Sequence, residues 1–124
     1  MATVDINETQ FEKLITQEGT VLVDFWAAWC GPCRSFAPVY EAMSEKYPDL
    51  TFAKVDTEAE QSLSAAAGIS SIPTLMIFRD SILLFSQPGA VPASALEEII
   101  GKVAELDMDD VRKQIAESAQ GEGK

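Results

Sequence analysis

Val23-Asp24-Phe25-Trp26-Ala27-Ala28-Trp29-Cys30-Gly31-Pro32-Cys33 decides how this chain is read. It opens as an apolar strand pattern, passes through one carboxylate, and ends in two cysteines where a helical pattern begins. At that spacing the sulfurs can close a disulfide within one helical turn. The first falls at a helix start, where unpaired N–H groups and about half a positive charge stabilise a thiolate over a thiol. The pattern marks Cys30 as a nucleophile at neutral pH.

The flanking elements give an α/β fold. Residues 20–27 are apolar apart from Asp24, as expected of a strand buried on both faces of a sheet. Beyond the cysteines, Phe36, Val39, Tyr40, Met43 and Tyr47 recur at helical spacing, with Pro38 expected to kink that helix. Upstream, a short strand at 3–6 precedes Asn7 and Gln10, a capping-box pair. Phe11, Leu14 and Ile15 follow on one helical face, and Gly19 closes that helix. Residues 51–56 read as the next strand, and a short helix around Leu63, Ala66 and Ala67 ends at Gly68. Residues 75–78 and 82–85 read as a hairpin joined through Arg79-Asp80-Ser81. Pro92 suits the first turn of a helix whose apolar face is Leu96, Ile99, Ile100 and Val103. The order βαβαβαββα makes the early strands parallel. The domain is expected to span 1–106. Residues 107–124 form an extension, with Asp107 capping a short helix (Met108, Val111 and Ile115 on one side) and a frayed tail from Ser118.

Composition narrows the function. The chain has 124 residues, of which 47% are hydrophobic, enough for one domain with a real core. A net charge of −11 argues against nucleic acid, which needs clustered Lys and Arg, and against anionic membranes. No apolar run is long enough to span a bilayer. Met1-Ala2-Thr3-Val4-Asp5 has no basic stretch before an apolar one, so no export signal is expected and a reducing cytoplasm is. There, a lone close pair of cysteines is more often catalytic or metal-binding than a staple. A staple closing so short a loop contributes only about 2 kcal/mol. A structural zinc site needs four Cys or His ligands, and the chain has 2 Cys and no His, so no metal is expected. The missing imidazole also excludes a Cys–His hydrolase.

Trp29-Cys30-Gly31-Pro32-Cys33, preceded by Val23-Asp24-Phe25-Trp26 and joined by the distant Ile72-Pro73-Thr74, resembles the thioredoxin family. The likeness runs from about Asp5 to Leu106. It implies a central mixed sheet with helices on both faces, and reduction of protein disulfides with recharging by an NADPH-dependent flavoprotein thioredoxin reductase. It implies no bound cofactor beyond a redox-active Cys30–Cys33 disulfide, disulfide-containing client proteins as partners, and a monomer. Departures are Asp80-Ser81 at the hairpin turn, Ser70-Ser71 before Ile72-Pro73, Pro88 before Gly89, and the segment after Leu106. A dedicated reductant of one client, and a binding module of this fold that does not need its sulfurs, are the competing readings.

On this resemblance Cys30 attacks a client disulfide and Cys33 resolves the mixed disulfide. Asp24 interrupts the innermost strand. Burial should raise its pKa, and the resemblance makes it the acid/base for Cys33, with Lys54 on the neighbouring strand as a structural partner. The resemblance also implies a cis peptide before Pro73, which leaves the Ile72 backbone to pair with an extended client chain. Trp26 packs beneath the sulfurs and Trp29 shields them. Trp29, Gly31, Pro32, Ile72, Gly89 and Ala90 form a flat apolar docking rim. Neither Gly31 nor Pro32 can donate a side-chain hydrogen bond to the Cys30 thiolate, which predicts a reducing couple. Pro32→His should raise the reduction potential, measured by equilibration in dithiol buffers with Trp fluorescence as the signal. An unchanged or lower value would refute this account of the dipeptide.

Overall fold

The computed structural model describes residues 2–122. Five strands form one sheet in the order β1-β3-β2-β4-β5. They are β1 (Thr3–Asp5), β2 (Thr20–Trp26), β3 (Thr51–Asp56), β4 (Thr74–Arg79) and β5 (Ile82–Pro88). β1 and β2 run parallel to β3, whereas β4 lies antiparallel to β2 and to β5. The sheet is therefore mixed, as expected. The helices are α1 (Glu8–Ile15), α2 (Gly31–Lys46), α3 (Gln61–Ala66), α4 (Ala93–Glu105) and α5 (Met108–Glu122).

β2 is the central strand, and its apolar sequence follows from that position. Val21, Leu22, Val23 and Phe25 are all buried, alternating between two cores. On one face Leu22 packs with Phe36, Tyr40 and Met43 of α2 and Leu96, Ile100 and Val103 of α4. On the other, Val21, Val23 and Phe25 pack with Phe11 of α1 and Leu63 of α3. Buried Tyr40 donates its hydroxyl to the Ala53 carbonyl at 2.8 Å, so the one polar atom of that side chain is satisfied.

Local chemistry sets the boundaries. α1 starts at the expected capping box: Asn7 Oδ1 accepts from Gln10 N–H and Gln10 Oε1 accepts from Asn7 N–H, each at 2.9 Å. The β4–β5 connection places Asp80 (φ 52°) and Ser81 (φ 71°) in left-handed backbone without a glycine. Asp80 is held there by a reciprocal clamp, its carboxylate accepting from Gly19 N–H at 2.8 Å and its own N–H donating to Gly19 O at 3.1 Å. Gly19 itself lies at φ 98°, beyond the α1 cap at Thr16. It thus serves the strand entry rather than the helix end predicted for it. The hairpin is longer than the pattern suggested, with β5 reaching Pro88 and a bulge at Leu84 that sets Ile77 opposite Phe85 but Phe78 opposite Leu83.

The C-terminal segment departs most from expectation. The helix after Asp107 is not short, and continues through Ser118 to Glu122; residues 123–124 of the expected tail lie outside the described residues. Asp107 Oδ1 accepts from Asp109 N–H (3.0 Å) and Asp110 N–H (3.3 Å), and Gln114, Ala116, Glu117 and Ala119 all favour helix. Among residues 108–119 only the first turn is seated: Met108 is buried, Val111 is half-buried and Ile115 is exposed. The junction is pinned by Arg79, whose guanidinium donates to the carbonyls of Val103 (2.8 Å) and Leu106 (3.0 Å). α5 thus begins at the Arg79 end of β4, about 20 Å of strand away from Pro73. Truncation after Leu106 should lower stability by about 2 kcal/mol, the worth of one buried Met side chain, and leave disulfide reduction intact. Thermal denaturation and turnover of a disulfide substrate test both halves. An unchanged melting temperature would mean that α5 does not dock.

Candidate active site

α2 begins where β2 ends, and the sulfurs sit at that corner. Cys30 is the N-cap of α2, with extended backbone (φ −86°, ψ 113°), and Pro32 occupies the first turn, where a missing N–H costs nothing. Cys30 and Cys33 form a disulfide with Cα atoms 5.2 Å apart. The Cys33 N–H donates to Cys30 Sγ at 3.2 Å. One of the unpaired donors of the helix N-terminus is therefore aimed at the first sulfur, and in the reduced protein it favours a thiolate there. Cys30 Sγ lies 3.7 Å from the Ile72 carbonyl oxygen. Both sulfurs are almost enclosed, packed with Ala27, Trp26 and Ile72.

The Ile72–Pro73 peptide is cis. Pro73 is buried, and its carbonyl accepts from Gly89 N–H at 2.7 Å, with Gly89 at φ 100°. The structure thus places Ile72, Pro73 and Gly89 together beside the sulfurs. Gly31, Pro32 and Ala90 are at least partly open to solvent. Trp29 is 67% exposed, and its indole N–H donates to Glu58 Oε1 at 2.7 Å. Nothing in the sequence alone points to Glu58. It stands twenty-nine positions from Trp29 on a different loop, and no local pattern marks it.

Asp24 is fully buried, and neither carboxylate oxygen has a hydrogen-bond partner among the described residues. Burial raises its pKa from the ordinary 3.8 to about 7, and Lys54 opposes this with a smaller pull downward. Lys54 is the register partner of Asp24 on β3, but no direct ion pair forms between them. Its ammonium instead lies 4.8 Å from the centre of the Trp26 ring. A cavity of about 100 Å³ lined by Trp26, Cys33 and Lys54 adjoins the second sulfur, with room for a few water molecules.

A helix-capping disulfide beside a cis-proline loop, with a buried carboxyl that titrates near neutrality, defines a thiol–disulfide oxidoreductase. Comparison with known proteins narrows that class. The thioredoxin family model matches residues 2–102. A putative thioredoxin 2 of Streptomyces coelicolor is 54% identical over 116 residues, covering 94% of this chain and 87% of its own. Thioredoxin of Bacillus subtilis is 39% identical over 82% of this chain and 98% of its own. A Plasmodium falciparum thioredoxin structure superposes with a TM-score of 0.73 at 34% identity, covering 81% and 97% of the two chains. The chain belongs to the thioredoxin family, and it is a protein-disulfide reductase that carries electrons on a redox-active disulfide rather than on a bound cofactor.

Asp24 also makes stability depend on pH. Below pH 3.8 the folded and unfolded chains both hold this proton and nothing is lost. Between there and about pH 7 only the folded chain retains it, so stability falls as pH rises, and above about pH 7 the whole penalty is present. The gap between 3.8 and about 7 corresponds to about 4 kcal/mol. Asp24→Asn should therefore stabilise the protein above pH 7, and the advantage should shrink by several kcal/mol towards pH 4. Denaturant unfolding across pH measures it, and a gain that does not vary with pH would overturn this assignment.

Proposed function

We propose that the chain reduces disulfides in client proteins through Cys30 and Cys33, with Asp24 as the proton acceptor, and is recharged by an NADPH-dependent flavoprotein reductase in the cytoplasm. The observation that carries this reading is the Cys33 N–H aimed at Cys30 Sγ, 3.2 Å away. It supports a thiolate at Cys30 and makes that sulfur the attacker. The thiolate displaces one client sulfur and forms a mixed disulfide, and the departing thiolate takes a proton from solvent. Asp24, with its pKa near 7, then accepts the Cys33 proton through water. The Cys33 thiolate attacks Cys30 Sγ, the second client sulfur leaves as a thiolate and takes up the proton that Asp24 holds, and the Cys30–Cys33 disulfide is restored. Two electrons and two protons from the reductase reset the dithiol.

Lys54 keeps a positive charge near Asp24 as it ionises and so moderates its pKa. A client segment in extended form pairs with the Ile72 backbone, the edge that the Pro73 peptide presents next to the sulfurs. Trp29, Gly31, Pro32, Gly89 and Ala90 supply the flat rim around it, and Glu58 fixes the indole of Trp29. No helix of the described residues is long and apolar enough to cross a membrane.

Cys33→Ser should accumulate a mixed disulfide through Cys30 with client proteins, visible on non-reducing gels, and Cys30→Ser should accumulate none. Asp24→Asn should lower turnover at pH 7 by about tenfold or more and flatten its rise with pH. Trapping through Cys33 instead of Cys30 would reverse the assigned roles.

A further inference from the structure

An apolar groove of about 500 Å³ lies on the α1/α3 face of the sheet. Buried Phe11, Leu63, Met76 and Phe78 line it with exposed Ala66 and Leu83. Leu83 reaches this face because the bulge at Leu84 sets it opposite Phe78. The groove's only ionisable lining residues are Glu8 and Glu12, both exposed. A second, polar hollow adjoins it, sharing Glu8 and Leu63, and its other carboxylates are Glu58 and Glu60. Glu60 also accepts from Glu8 N–H at 3.0 Å, which ties α1 to the start of α3. Glu58 is the residue that holds Trp29 beside Cys30. The apolar groove, a run of carboxylates and the rim of the disulfide thus form one continuous path, and no Lys or Arg lines either hollow.

We propose that this path is a second docking site for protein clients that carry a basic segment with a bulky apolar anchor. The anchor fills the groove, Lys or Arg side chains beside it lie along Glu8, Glu12, Glu58 and Glu60, and the client disulfide meets Cys30. This rests on the reading that client disulfides exchange at Cys30. The chemistry of the occupant follows from the lining. A groove of this size takes one or two large apolar side chains. The exposed carboxylates contribute little affinity singly, but together they set direction and encounter rate, and salt weakens them. Met76 stands three strand residues, about 10 Å, from Pro73, so a short stretch of client chain spans both sites. Joining two weak contacts through one chain raises the affinity of the whole without any new contact at the sulfurs.

Two synthetic peptides with the same disulfide loop test the proposal, one plain and one extended through a flexible spacer of about six residues to a phenylalanine flanked by arginines. The protein should reduce the extended peptide with a kcat/KM about tenfold higher at low salt. The gain should lie in KM and shrink at high salt. Leu83→Ser, and separately Glu8→Gln with Glu12→Gln, should remove the gain while leaving reduction of the plain peptide unchanged. Equal rates for the two peptides, or a gain that survives Leu83→Ser, would overturn the proposal. If neither peptide is reduced, the redox reading fails and the groove is judged on its own by fluorescence anisotropy of the extended peptide with serines for cysteines. Binding to the wild type that is lost in Leu83→Ser supports the docking site, and no binding overturns it.

Discussion

The burial of β2 between two cores is the constraint on which the rest depends. Because the strand pairs with β3 along one side and β4 along the other, its position is fixed in all three directions. Its last residues can then hand the chain to α2 at a defined corner, and the Cys30 sulfur can meet the Cys33 N–H at 3.2 Å. β4 repeats the logic from the opposite direction. Its pairing with β2 delivers Pro73 to the same end of the sheet, and Gly89 on the far side of β5 braces the Pro73 carbonyl. Three segments remote in sequence converge because one strand is held rigidly between them.

The same burial creates the strongest local conflict in the molecule. A strand interior selects apolar side chains, yet Asp24 sits there with no hydrogen-bond partner and only the more distant charge of Lys54 to relieve it. A sequence optimised for stability alone would replace it. The penalty is what brings the carboxyl into the range where it can exchange a proton at neutral pH. Stability lost at this residue and a pKa near neutrality are two consequences of one desolvation.

Much of this was legible in the chain, for reasons that differ by residue. β2 and α2 are long and strongly patterned, and Asn7 with Gln10 is a local cap whose geometry follows from spacing. The cysteines and Pro73 carried the family resemblance. Contacts made across the fold left no such trace. Glu58 is linked to Trp29 only once the loop after β3 folds over the corner, and Lys54, placed correctly beside Asp24, turns its charge onto Trp26 instead of pairing. The turn at Asp80-Ser81 lacks the expected glycine because a partner in another loop, Gly19, holds it. α5 runs further than its composition suggests, because its small polar residues resemble a tail although several of them are good helix formers.

The Arg79 clamp has a mechanical meaning. By gripping the carbonyls that end α4, it roots α5 at one pole of the molecule while the sulfurs work at the other. A load attached along α5 would pull on a helix whose residues 112–119 are exposed. The pull would reach the sheet through α4, packed in the core, and through the Arg79 clamp on β4, whereas the sulfurs sit at the α2 corner at the opposite end of the sheet.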